Sequence, residues 1–249
     1  MDYLLMFFGF SFTVFMAYQI FTMVARNKKN VRYMKVINNM ENEAEFFPTV
    51  DAYISSIHDH EFRNKALIIK LWSVIYFDRM DDFKSVCNEI DLKPLMYRQG
   101  KIDYKIIAYD EDAYFYLLFM SNIALYSKGD FDSLKRIEEK VSPYHDVLKD
   151  QLFHQIYMES LKLYYNQDDL GKEFFVKVLS GEYEGRYFKH YIGLYKNVVA
   201  CFLAKISILT NEFRHDEMIK SQLTTFKDSK LGNRIMTYLD LHGRYGDVK

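Results

Sequence analysis

The hydrophobic pattern divides the chain into one uninterrupted apolar stretch and a longer region of helical periodicity. From Tyr3 to Ala25 no residue is charged, and the stretch carries Leu4, Leu5, Met6, Phe7, Phe8, Phe10, Phe12, Val14, Phe15, Met16, Ile20, Phe21 and Val24. About 20 mostly apolar residues suffice to cross a bilayer as a helix, which satisfies its own backbone where lipid cannot. The pattern predicts a transmembrane anchor over residues 1–25, with Tyr3 and Tyr18 near the interfaces. Basic residues follow the stretch and none precedes it, and it is long for a secretory signal, so it reads as an uncleaved anchor.

Residues 26–45 form a charged neck, and from Phe46 onward apolar positions recur at helical spacing between short polar breaks. The predicted helices are Pro48–His58, Glu61–Arg79, Asp82–Ile90, Glu111–Lys128, Asp132–Val141, Tyr144–Asn166, Leu170–Ser180, Arg186–Thr210, Asp216–Lys227 and Leu231–Leu241. Gly129-Asp130, Ser142-Pro143, Asp168-Asp169, Gly181 and Gly185 punctuate them. Lys93 to Tyr109 reads as a long loop with room for a short strand. Leu194 to Thr210 is apolar but interrupted by Lys196 and Lys205, so it is expected as a buried helix of the domain over residues 46–249 rather than a second span.

Composition agrees with helices. Of 249 residues, 49% are hydrophobic and 17% aromatic, with only 10 Gly and 3 Pro to make the frequent turns an all-β fold needs. The formal net charge of −1 supplies no field that would recruit nucleic acid. Charge is local instead. Arg26, Lys28, Lys29, Arg32 and Lys35 follow the apolar stretch with no acid before Glu41. By the positive-inside rule, this places the C-terminal domain in the cytoplasm of a single-pass cell-membrane protein, with the N-terminus outside. Cys87 and Cys201 lie far apart in apolar helical stretches and are expected as free, packed thiols, as in a reducing compartment.

A junction of long aromatic helix, polar turn and shorter amphipathic helix recurs, with Phe83, Phe131, Leu170 and Phe213 at its turns. One copy, Ala124-Leu125-Tyr126-Ser127-Lys128-Gly129-Asp130-Phe131-Asp132, resembles the tetratricopeptide repeat family. Gly permits the tight turn, Asp caps the next helix, and the aromatic packs between the pair. The resemblance implies a tetratricopeptide-like solenoid of helix pairs over about Phe46–Leu241, and with the predicted anchor the fold class is all-α, a transmembrane helix followed by that solenoid. It also implies scaffold or adaptor work on a protein or peptide partner rather than catalysis. Aligning first helices on their turns puts Phe119 and Ile123 on an inner, partner-binding face. Lys162 and Lys205 match Ile123 in the next two copies and favour an acidic partner.

Catalytic motifs do not emerge from the residues. There is no Gly-rich phosphate loop, nucleophile elbow, CxxC pair or H-E-x-x-H, and no cofactor or metal is expected. His58-Asp59-His60-Glu61 offers four ligand types in a row, the basis of an alternative reading as a membrane-anchored metal-dependent enzyme. Between two helices such residues more often cap and stay solvated. His145, His154, His190, His215 and His242 form no pair that spacing alone supports. A third reading is a structural membrane protein that associates with itself.

Overall fold

The structure is a computed structural model that describes residues 18–19, 21–24, 27–28, 31–40, 42–91, 115–187 and 189–246. Tyr3, Phe15, Ala25, Arg26, Lys29 and the segment Lys93–Tyr109 lie outside them. The described residues are helical, with no strand and one isolated bridge between Gln151 and Arg186. They fall into two compact units, residues 1–73 and 74–249.

In the first unit, residues 18–19, 21–24 and 27–28 are helical, and so are 31–38. Helices α1 (Glu43–Ser56) and α2 (His60–Tyr76) follow, the latter crossing the division between units. Val36, Phe46, Phe47, Val50, Tyr53, Ala66, Leu67, Ile68 and Leu71 are buried. Tyr33 stands edge-on to Phe62 at 6.2 Å and tilted to Tyr53 at 6.3 Å. This fixes which side of helix 31–38 faces inward. Helix α1 begins five residues before Pro48, the predicted start. Glu43 and Glu45 suit its first turn through the helix dipole, and extending it buries Phe46 and Phe47.

The second unit contains α3 (Met80–Glu89), a π-helical turn Phe115–Met120, α4 (Ser121–Lys128), α5 (Phe131–Val141), a 3₁₀ turn Ser142–Tyr144, α6 (His145–Leu148), α7 (Leu152–Tyr164), α8 (Lys172–Ser180), α9 (Ile192–Thr210), α10 (Asp216–Phe226), α11 (Lys230–Tyr238) and α12 (His242–Tyr245). Helix α9 is the axis, packing against α7, α8, α10 and α11. Every residue from Val198 to Ala204 is fully buried. Among the described residues α9 is the one helix long and apolar enough to cross a membrane. Its burial among neighbours gives it the core role predicted from Lys196 and Lys205. Helix α11 touches α4 as well as α9 and α10. In a linear stack each pair meets only its neighbours, whereas here a late helix returns to an early hairpin. Tyr238 Oη strengthens that closure by donating to the Ile75 carbonyl at 3.0 Å.

One device stops six of the helices. The residue after the last turn is left-handed: Asp78, Gly129, Asn166, Gly181, Asn211 and Asp240 have φ of 58°, 69°, 50°, 83°, 55° and 55°. In each case the next N–H reaches back five residues, as in Asp130 to Leu125 O (3.0 Å), Gln167 to Lys162 O (2.9 Å) and Glu212 to Ser207 O (3.1 Å). This is the Schellman stop, which satisfies carbonyls the helix leaves open. Asn and Asp tolerate the left-handed region better than other side chains, so the junctions without Gly close as the glycine junction does.

The tetratricopeptide-like junction has two of its three expected parts. Gly129 makes the turn, and Asp130 caps α5, its Oδ1 accepting from Ser133 N–H at 3.1 Å and its Oδ2 from Ser133 Oγ at 2.7 Å. Phe131, expected between the helices, is 48% exposed. As the first residue of α5 it precedes the buried stripe Ser133, Leu134, Ile137 and Val141 and points away from it. Phe83, in the corresponding turn region of the first copy, is buried.

The long helix predicted over Tyr144–Asn166 is broken. Arg186 N–H donates to Asp150 O at 2.7 Å, and Leu152 N–H donates to Arg186 O at 2.9 Å. That pairing claims backbone groups a continuous helix would use. It also holds Arg186 out of the helix predicted to begin there, so α9 starts at Ile192.

Candidate docking surfaces

The four residues assigned to an inner face separate into two kinds. Phe119 and Ile123 are fully buried, the Phe119 ring standing 6.2 Å from that of Tyr195. Both are core and offer a partner no surface, because the π-helical turn and α4 turn that side toward the rest of the unit. Lys205 is half-buried on α9. Lys162 reaches solvent at the end of α7, where its Nζ lies 2.8 Å from Glu159 and 2.9 Å from Asp169. Hydrogen bonds to those two carboxylates raise the Lys162 pKa, and the same contact lowers that of Asp169. The lysine's charge is already answered within the chain, which weakens its pull on an acidic partner.

Lys162 lines the larger surface feature, an open cleft of about 820 Å³ formed by α7, α8 and the turn between α9 and α10. Glu159, Asp169, Glu173 and Glu212 line it together with Lys162, Lys172, Lys177 and Arg214. Besides the Glu159–Lys162–Asp169 group, Lys172 pairs with Glu212, holding that carboxylate below its ordinary pKa. Gly171 makes the approach of α7 and α8 possible. Its φ is +72°, and an added Cβ would lie 3.0 Å from the Glu159 carbonyl. The lining carries charges of both signs, and its apolar side chains are limited to Phe174 and Val176. Such a surface can hold a polypeptide segment bearing both signs, but it lacks the apolar enclosure typical of small-molecule sites. Lys172 and Glu212 are 40 residues apart, so no local sequence signal could have placed them together.

A second, narrow cleft runs between α3 and α5, with about 40 Å³ of free space over Phe83, Cys87 and Ile137. Lys140 closes one end by donating from Nζ to the Cys87 carbonyl at 2.7 Å, and burial lowers the Lys140 pKa. The volume admits about one water or the tip of a side chain.

The His58–Glu61 run behaves as a cap. Asp59 Oδ1 accepts from Phe62 N–H at 3.3 Å and Asp59 O from Arg63 N–H at 2.9 Å, while His58 and His60 are exposed. Among the described residues no three His, Cys, Asp or Glu side chains gather to hold a metal ion. Cys87 and Cys201 are free and buried; burial pushes the Cys87 thiol up to about 12 and raises that of Cys201 as well. Two histidines not linked by spacing do meet, His145 Nδ1 lying 3.1 Å from His154 Nε2.

Compared with known proteins, the chain matches no family model, no curated sequence and no solved structure. The tetratricopeptide resemblance therefore rests on the Ala124–Asp132 junction alone.

Proposed function

We propose that this is a single-pass membrane protein whose helical domain docks a protein partner as a scaffold or adaptor, with the domain in the cytoplasm and the N-terminus outside. The observation that carries the docking reading is the 820 Å³ cleft between α7, α8 and the α9–α10 turn, lined by charges of both signs. A segment of mixed charge could exchange partners with Lys162, Lys172 and their carboxylates without leaving a charge unanswered. Membrane anchoring is supported by the uncharged stretch Tyr3–Ala25. At its described end Phe21 and Met23 are helical and 72% and 73% exposed, as suits a lipid-facing helix.

Proximity labelling in cells tests the reading, with the labelling enzyme on the C-terminus of the full chain. The comparisons are a fragment of Met1–Lys35 and a full chain carrying Lys177→Glu and Arg214→Glu, both exposed cleft positions. Neighbours labelled by the full chain, and lost with the fragment and the charge reversals, support docking in the cleft. Identical labelling by all three would end it.

A further inference from the structure

The outward side of helix 31–38 is assigned to neither the core of its unit nor the cleft. Tyr33 and Val36 face inward, Tyr33 against Tyr53 and Phe62, and Val36 is 1% exposed. The far side carries Val31, Met34 and Lys35, with Arg32 on its flank next to Val36, all four exposed. Lys28, also exposed and helical, adds a third cation a few residues before Arg32 and Lys35. No acid occurs between Asp2 and Glu41, so nothing nearby in sequence offsets these cations.

Two apolar side chains among the cations decide what this face suits. Val31 is 67% exposed and Met34 49%. A helix running straight out of the bilayer would carry Met34 about 15 Å past Val24, clear of the hydrocarbon. There an exposed Met and Val would contribute nothing. Turned along the membrane surface, the same helix lays Val31 and Met34 at the boundary of headgroups and acyl chains and sets Lys28, Arg32 and Lys35 against phosphates. That combination is the signature of an interfacial helix.

We propose that the exposed side chains of Lys28, Val31, Arg32, Met34 and Lys35 bind anionic lipid headgroups and draw helix 31–38 down onto the membrane. The inference rests on the membrane-anchored reading and adds lipid selectivity to it. Each basic residue near an anionic surface contributes about a five-fold preference, so three contribute on the order of a hundredfold, weakened by salt. Because Tyr33 and Val36 tie the helix to α1 and α2, lipid charge would set the posture of the whole first unit.

The test uses the full chain with Met34→Cys, reconstituted in vesicles of phosphatidylcholine alone or with one-fifth phosphatidylserine. The readout is reaction with a water-soluble thiol reagent, against the background of the buried Cys87 and Cys201. Alkaline carbonate extraction of the same samples reports anchoring separately. Labelling at least about ten-fold slower in the anionic vesicles is expected, with the difference abolished by 0.5 M salt or by Lys28→Gln, Arg32→Gln and Lys35→Gln together. Carbonate-resistant protein that labels at one rate in both vesicles would overturn the lipid proposal and leave the anchor standing. Protein that carbonate strips from both vesicles would overturn the anchor, and the lipid proposal with it.

Discussion

His145 Nδ1 and His154 Nε2 stand 3.1 Å apart, joining the short helix α6 to the first turn of α7. His154 is 2% exposed, and its Nδ1 is buried with no hydrogen-bond partner among the described residues. A bare ring nitrogen is less costly to bury than an orphaned N–H, so the favoured tautomer of His154 donates from Nε2. Burial, and secondarily the charge of His145, lowers the His154 pKa from 6.5 to about 4. The folded state thus binds fewer protons than the unfolded state between these values. Stability from this site is complete above about pH 6.5 and is lost as the pH falls toward 4, by on the order of 2–3 kcal/mol. Urea unfolding in mild detergent at pH 7.5 and 4.5 should show a smaller acid loss for His154→Phe than for the parent. Parallel losses would remove His154 from the account.

The left-handed helix stops make a graded prediction. Asn211 has φ 55° and ψ 35° and is exposed, so replacing it changes little besides backbone preference. Asn211→Ala should cost about 1 kcal/mol, and Asn211→Gly should be neutral or slightly stabilising. The order Gly ≥ Asn > Ala in urea midpoints is the expected result, and Ala equal to Asn would contradict the stop.

Gly232 makes a sterically sharper case. A Cβ built there would lie 1.9 Å from the Phe226 carbonyl oxygen, the end of α10 against the start of α11. Ser229 sets this closeness, its Oγ donating to Phe226 O at 2.6 Å and accepting from Gly232 N–H at 3.0 Å. Gly232→Ala must move backbone and should destabilise by about 1–3 kcal/mol. A variant with the parent's melting temperature would show that the approach is looser than this.

Both thiols should be silent in the folded protein. Cys87 is buried, and its pKa is pushed up to about 12 by burial, an effect the nearby Lys140 opposes; Cys201 is fully buried in α9. A thiol-titrating reagent at pH 8 should register neither over minutes and two after denaturation. Rapid native reaction of both would mean that α3 or α9 opens readily.

Much of the fold can be read along the chain because helix formation is local. The apolar stripe of α5, the Gly129 turn and the Asp130 cap concern residues within one or two turns of each other, and the burial of α9 follows from its length of apolar sequence. The stops at Asp78, Asn166, Asn211 and Asp240 were legible in principle, since Asn and Asp take the left-handed region, but a search for Gly passes over them. The cleft was not legible. Of its residues only Lys162 emerges from the sequence as a binding candidate, and the alignment that selects it also selects Phe119 and Ile123, which the packing of the π-helical turn and α4 buries.

Local signals along the chain specify the helices seen among the described residues, an uncharged N-terminal stretch, a cationic neck, buried thiols and short helical hairpins. Each follows from periodicity, charge or caps within a few residues. Tertiary structure decided where Arg186 interrupts a helix beginning near Tyr144, that His145 meets His154, that Lys172 answers Glu212, and that α11 returns to α4. The physical reason is that these relationships depend on helix phase and on segments distant in the chain competing for the same backbone and buried space. A hydrophobic pattern specifies that a face is buried, but what it is buried against is settled only when all the helices pack together.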